Sequence, residues 1–146
     1  IYIGQAKIMK KKKCIILLVG IIAIFVVVGV LIIISIKLDT AFLRKPNQAY
    51  ENVDVIDGDN GISMKLSDKE KEELFEKLKR LELTRDFFHK PLTEWQYQIQ
   101  FIIEGELYII TIVDDNYIVI NENKFYKTET GKLVDFIKEM LQVYLI

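Results

Sequence analysis

Between Lys13 and Lys37 the chain carries no charged side chain, and the run CIILLVGIIAIFVVVGVLIIISI is apolar almost throughout. As a helix, residues 15–36 would rise about 33 Å, enough for a hydrocarbon core of about 30 Å. A cleavable leader has a shorter apolar region of about 7–15 residues followed by small residues at a cleavage site. Neither feature is present. Cys14 precedes the run, whereas a lipoprotein needs its cysteine just after it. The run therefore predicts a retained transmembrane helix over residues 14–37, contacting lipid from Ile15 to Ile36.

The flanking charges set an expected orientation. Lys7, Lys10, Lys11, Lys12 and Lys13 precede the run; Lys37, Arg44 and Lys45 follow it, interrupted by Asp39. The excess of lysine on the first side favours a cytoplasmic tail over residues 1–13, with everything after the helix outside the cytoplasmic membrane. MKKKKCIILLVG, from Met9, reads as a start, and residues 1–8 are given no function. Gly20 and Gly29 are too far apart for a G-x-x-x-G packing motif. Cys14 reads as a small apolar residue at the membrane boundary.

From Leu38 onward 14 basic residues face 21 acidic ones, a net charge of −7. An acidic body argues against nucleic acid or anionic head groups as partners. It contains no cysteine, which excludes a disulfide framework and a thiolate metal site. Residues 38–52, broken by Pro46, read as a tether ahead of a domain over residues 53–146. Two short β runs, 53–56 and 62–66, flank the turn-rich Asp57-Gly58-Asp59-Asn60-Gly61. Ser67 and Glu70 form a capping box for a helix from Asp68 to about Leu83, with Leu74, Phe75, Leu78 and Leu81 at helical spacing. Pro91 ends any continuation.

From Trp95 the period changes to two. Trp95, Tyr97, Ile99, Phe101 and Ile103 share one face; Gln96, Gln98 and Gln100 share the other. Turns at Glu104-Gly105, Asp114-Asp115-Asn116 and Asn121-Glu122-Asn123 predict an antiparallel meander. Thr130 can cap a closing helix whose stripe is Leu133, Phe136, Ile137, Met140, Leu141 and Tyr144. The order is β-β-α-β-β-β-β-α, an α+β fold with two helices packed on the sheet.

Tests for chemistry assign no catalytic, cofactor-binding or metal-ligating residue. His89 is the only histidine, which excludes a histidine-based triad or a multi-histidine metal site within one chain. An EF-hand loop starting at Asp57 would need an oxygen ligand and then glycine where Gly61 and Ile62 stand. The acid pairs Asp114/Asp115 and Glu104/Glu106 flank turns, where carboxylates are solvated. The aromatic row Trp95, Tyr97 and Phe101 reads as a core face. A functional patch is better sought on the glutamine face or the loop Phe87 to His89.

The lysine-rich head and apolar anchor are followed by ISMKLSDKEKEELFEKLKRLELTR and then WQYQIQFIIEGELYIITIVDDNYIVINENKFYKTETGKLVDFIKEML. This arrangement, over residues 62–141, resembles small membrane-anchored or lipoprotein domains of unknown function from low-G+C Gram-positive bacteria. The lysine- and isoleucine-rich composition agrees with an A/T-rich bacterial genome. The resemblance implies an extracytoplasmic α+β domain and hands over no catalytic residues. The chain departs from the lipoprotein members in lacking a lipidated cysteine. The expected function is a non-catalytic interaction module with a protein or peptide partner, one version being an immunity protein. The alternatives are a structural or regulatory subunit acting through its transmembrane helix and a carboxylate-dependent cell-wall hydrolase.

Overall fold

The computed structural model describes residues 2–90 and 92–145; Pro91, expected as a helix breaker, lies outside them. The apolar run forms the centre of one long helix, α1 (Tyr2–Asp39), and the chain divides into two compact units, Ile1–Thr40 and Ala41–Ile146. Helix α1 is long and apolar enough to cross a membrane, and a signal helix would have the same character. Its large apolar side chains between Ile15 and Ile34 are 39–72% exposed. Such a surface is stable only in contact with lipid or other apolar matter.

The second unit is α+β. Two 3₁₀ turns, Ala41–Arg44 and Asn47–Ala49, lead into β1 (Glu51–Asp57), β2 (Ser63–Lys65), α2 (Asp68–Lys79), β3 (Thr84–Asp86), β4 (Tyr97–Ile103), β5 (Glu106–Ile112), β6 (Tyr117–Ile120), β7 (Lys124–Lys127) and α3 (Gly131–Leu145). All seven strands join one antiparallel sheet in the order β2-β1-β4-β5-β6-β7-β3. The expected meander is its β4-to-β7 centre. Its two-residue β4–β5 turn uses positive φ at Glu104 and Gly105, which gives the backbone twist that such hairpins need, and the three-residue β6–β7 turn uses it at Asn121 and Glu122.

Register puts Val55, Ile99, Ile110 and Ile120 in one row across the sheet, with Phe101 and Tyr108 in the next row on the same face. Helix α2 packs there: the Phe75 ring meets Phe101 edge-on at 5.0 Å. Ser67 and Glu70 form the expected reciprocal cap. The helix ends at Lys79, four residues before the expected Leu83, because Leu81 to Leu83 carry the chain into the unforeseen strand β3. That strand corrects the expected order to β-β-α-β-β-β-β-β-α.

The closing helix is also rotated from expectation. Leu133, Val134, Ile137, Met140 and Leu141 are buried, a stripe centred one position away from the expected one. Phe136 is half-buried with the Lys77 ammonium 5.2 Å from its ring centroid, and Tyr144 is exposed. Thr130 stands just before the helix and its carbonyl accepts from Val134 N–H at 2.9 Å. Its hydroxyl, however, donates to the Asp114 carbonyl at 2.6 Å. That bond ties the helix start to the β5–β6 turn.

The largest correction concerns residues 38–52. In place of a tether, the segment after Thr40 is folded onto the core. Phe42, Leu43 and Tyr50 are buried. Phe42 stacks on Tyr108 at 4.8 Å, and Tyr50 stacks on Phe75 at 3.7 Å, nearly parallel. The Tyr50 hydroxyl donates to the Phe42 carbonyl at 2.7 Å, and burial pushes this phenol up to about 12. Lys79 donates to the Lys45 carbonyl and to Asn47 Oδ1. The segment is a strap holding α2 to β4 and β5.

A chain beginning at Ala41 is therefore expected to unfold cooperatively in urea. One beginning at Val53 loses three buried side chains, each worth about 1.5–3 kcal/mol, against a domain stability of about 5–15 kcal/mol. It is expected to lose most of its unfolding transition; equal midpoints for the two chains would show that the strap is dispensable.

Candidate functional site

Helices cover one face of the sheet, so the reverse face is where side chains are left for other contacts. Its composition follows from register: Ile56, Gln98 and Thr111 form one row, and Asp54, Gln100 and Ile109 the next, with Ile102 opposite Leu107 beyond them. On the far side of the sheet the same face carries Val119 opposite Phe125, and Tyr117 opposite Lys127.

The two halves of this face have different fates. From β3, at one edge, the chain must pass β7, β6 and β5 to reach β4. His89 fixes the side on which it passes: its ring stacks on Phe125 at 4.2 Å and meets Tyr117 at 4.6 Å, both on the reverse face. Through His89 the crossover covers Phe125, and Thr111 and Val119 are buried on the same face. It ends where Gln96 N–H donates to the Ile112 carbonyl at 2.8 Å, and the Gln96 carbonyl accepts from Gly58 N–H at 2.7 Å. The Gln96 Oε1 is buried with no hydrogen-bond partner among the described residues.

The other half stays open. Ile56, Gln98, Gln100, Ile102 and Ile109 are half-buried and Leu107 is exposed. Gln100 Nε2 donates to Gln98 Oε1 at 3.4 Å. An apolar surface crossed by paired amides can bury area and accept oriented hydrogen bonds at once, the combination found in protein interfaces. The expected glutamine face is thus present, but Gln96 belongs to the crossover instead.

The other sequence candidates are dispersed. Tyr97, Ile99, Phe101 and Ile103 are buried in the core. Trp95 is half-buried before the strand begins, against Gly58. The Asp57-to-Gly61 segment is a hairpin turn: Asp57 Oδ1 accepts from Asp59 N–H and Asn60 Oδ1 from Ile62 N–H, both at 2.9 Å. No cluster of three or more metal-ligating side chains occurs among the described residues. Asp114 accepts from Asn116 N–H at 2.8 Å within its turn, and Glu104 faces Lys45 at 3.6 Å. Both acid pairs are exposed.

The sequence offered the loop Phe87 to His89 as a possible patch but did not reveal that the segment after β3 crosses the sheet. The signal lay in β6, where Tyr117, Ile118, Val119 and Ile120 are all apolar. Such a run marks a strand covered on both faces, which one helical layer cannot do.

Gly58 reports on the junction between this crossover and the β1–β2 turn. A Cβ there would stand 2.4 Å from the Trp95 carbonyl oxygen. Gly58→Ala is expected to cost about 1–3 kcal/mol, the usual range for overpacking, read as a lower thermal midpoint. An unchanged midpoint would mean that the junction yields without strain.

No protein family, curated protein or solved structure matches this chain.

Proposed function

We propose that this chain is a single-pass membrane protein with residues 15–36 in the bilayer and its N-terminus in the cytoplasm. The unit Ala41–Ile146 is then a non-catalytic interaction module outside the membrane. The observation that carries the reading is the long, exposed apolar surface of α1. Each such side chain gains roughly 1.5–3 kcal/mol on leaving water. Summed along the run, that gain exceeds the stability of a whole domain. The lysines before the run support the orientation.

A reporter active only outside the cytoplasm, fused after Ile146, is expected to be active, and neutralising Lys10 to Lys13 together should weaken or mix the orientation. The full-length chain should stay with membranes through alkaline extraction. Release of a shortened chain would identify a cleaved leader, and activity of a cytoplasmic reporter would reverse the topology.

The open half of the reverse face supports the interaction role and favours a protein or peptide partner, with a toxin intercepted at the membrane as one version. A photo-crosslinker at Gln100 is expected to trap a discrete partner. Gln98→Arg should abolish that product and leave the fold intact, whereas Lys138→Ala on α3 should change neither. If an unrelated apolar anchor in place of α1 destroys function while the crosslink persists, the helix is the active part and the chain is a structural or regulatory subunit. A cell-wall hydrolase has less support, because both acid pairs sit on exposed turns.

A further inference from the structure

One exposed apolar feature belongs neither to the anchor nor to the open sheet face. Between β3 and β4 the chain turns at Phe87 and Phe88, which are 54% and 96% exposed. This tip is held from both sides. The Asp86 carboxylate accepts from Phe88 N–H at 3.1 Å, and the Arg85 guanidinium lies 5.1 Å from the Phe87 ring centroid. On the other side His89 is stacked on Phe125. The turn therefore presents the Phe88 ring outward, with fixed residues before and after it.

Sheet register shows which end of the domain carries this tip. The chain enters the sheet at Glu51, opposite Ile102 near the end of β4. That end also bears the β4–β5 turn, whose Glu104 faces Lys45 of the strap. Because β5, β6, β7 and β3 alternate in direction, the β6–β7 turn lies at the same end, and β3 leaves there too, with Asp86 opposite Phe125. Phe87 and Phe88 thus emerge at the sheet end where the chain arrives from α1. Phe42, already packed in the core, stands only three positions after Asp39, the last residue of α1. Extended chain of that length spans about 10 Å.

We propose that Phe87 and Phe88 form a second membrane contact, inserting their rings into the interfacial layer of the bilayer that α1 crosses. The inference rests on the single-pass reading above. Aromatic and aliphatic side chains at a polypeptide surface partition into that layer through buried apolar area. Charges of both signs stand at this end: Lys45 faces Glu104, and Arg85 adjoins Asp86. The contact should therefore form on zwitterionic and anionic lipid alike, and with it the domain is fixed at two points.

The test uses the full chain with Cys14→Ser, reconstituted in phosphatidylcholine vesicles with or without phosphatidylglycerol. A nitroxide is placed on Lys90→Cys, which keeps both rings, or on Lys132→Cys at the opposite sheet end. The Lys90 label is expected to be accessible to oxygen and shielded from a water-soluble nickel complex, in both lipid mixtures. The Lys132 label should remain open to nickel. Phe87→Ser with Phe88→Ser should return the Lys90 label to aqueous accessibility, while the protein still resists alkaline extraction. A Lys90 label as open to nickel as Lys132 overturns the contact. So does shielding that survives the double serine change, or a label shielded from both oxygen and nickel, which would indicate protein packing. Loss of the protein at extraction would instead overturn the anchor, and the lipid contact with it.

Discussion

The domain depends on one aromatic stack. Tyr50 lies flat on Phe75 at 3.7 Å, and both rings meet Phe101 edge-on. These three residues come from the strap, from α2 and from β4, elements that no short-range pairing would bring together. Aromatic pairs add about 0.5–1.5 kcal/mol beyond their buried area in such geometries. The phenol of Tyr50 must also keep a hydrogen bond when buried, and the Phe42 carbonyl supplies it. The requirement fixes the conformation of the strap between the two residues, so satisfying one buried hydroxyl shapes the whole junction after Thr40.

Elements whose signals are local were legible in the sequence. The capping box of α2, the alternation of β4 and the turns of the meander each depend on residues a few positions apart, and each is present. Elements defined by distant partners were not. Phe42 and Leu43 have no periodicity of their own and are buried because Tyr108, Phe101 and α2 offer them surface. Strand β3 is three residues long and exists because β7 exposes an edge. The Thr130 hydroxyl prefers a carbonyl 16 residues away to the helix end beside it, which propensity cannot anticipate. Phe136 was misplaced for a related reason: a stripe of apolar positions on α3 leaves its rotation free by one residue, and packing selected Val134.

For the candidate surface, the sequence placed Gln98 and Gln100 on one face without the reason they are available. Gln98 and Gln100 alternate with core residues, so their common face followed from period two. That half of this face is covered and half open follows only from topology. The sheet order forces the β3–β4 connection across β5 to β7, and His89, unremarkable in sequence, holds it there. The single histidine thus has a packing role on Phe125 that accounts for its position without any catalytic demand.

The strap also changes what the proposed anchor would mean for partners. A flexible tether of 15 residues would let a domain sweep a hemisphere of tens of ångströms. With Phe42 packed three positions after Asp39, the unpacked chain between helix and core is two residues long instead of fifteen. A domain of 106 residues has a radius of gyration of about 13 Å, so on the single-pass reading its entire surface lies within a few tens of ångströms of the lipid. The open sheet face could then meet only molecules that come to the membrane surface or are embedded in it. This restriction would replace much of the affinity that a freely diffusing interaction needs. Confinement near the bilayer raises the effective concentration of any similarly confined partner, and a modest surface of mixed isoleucine and glutamine would then suffice.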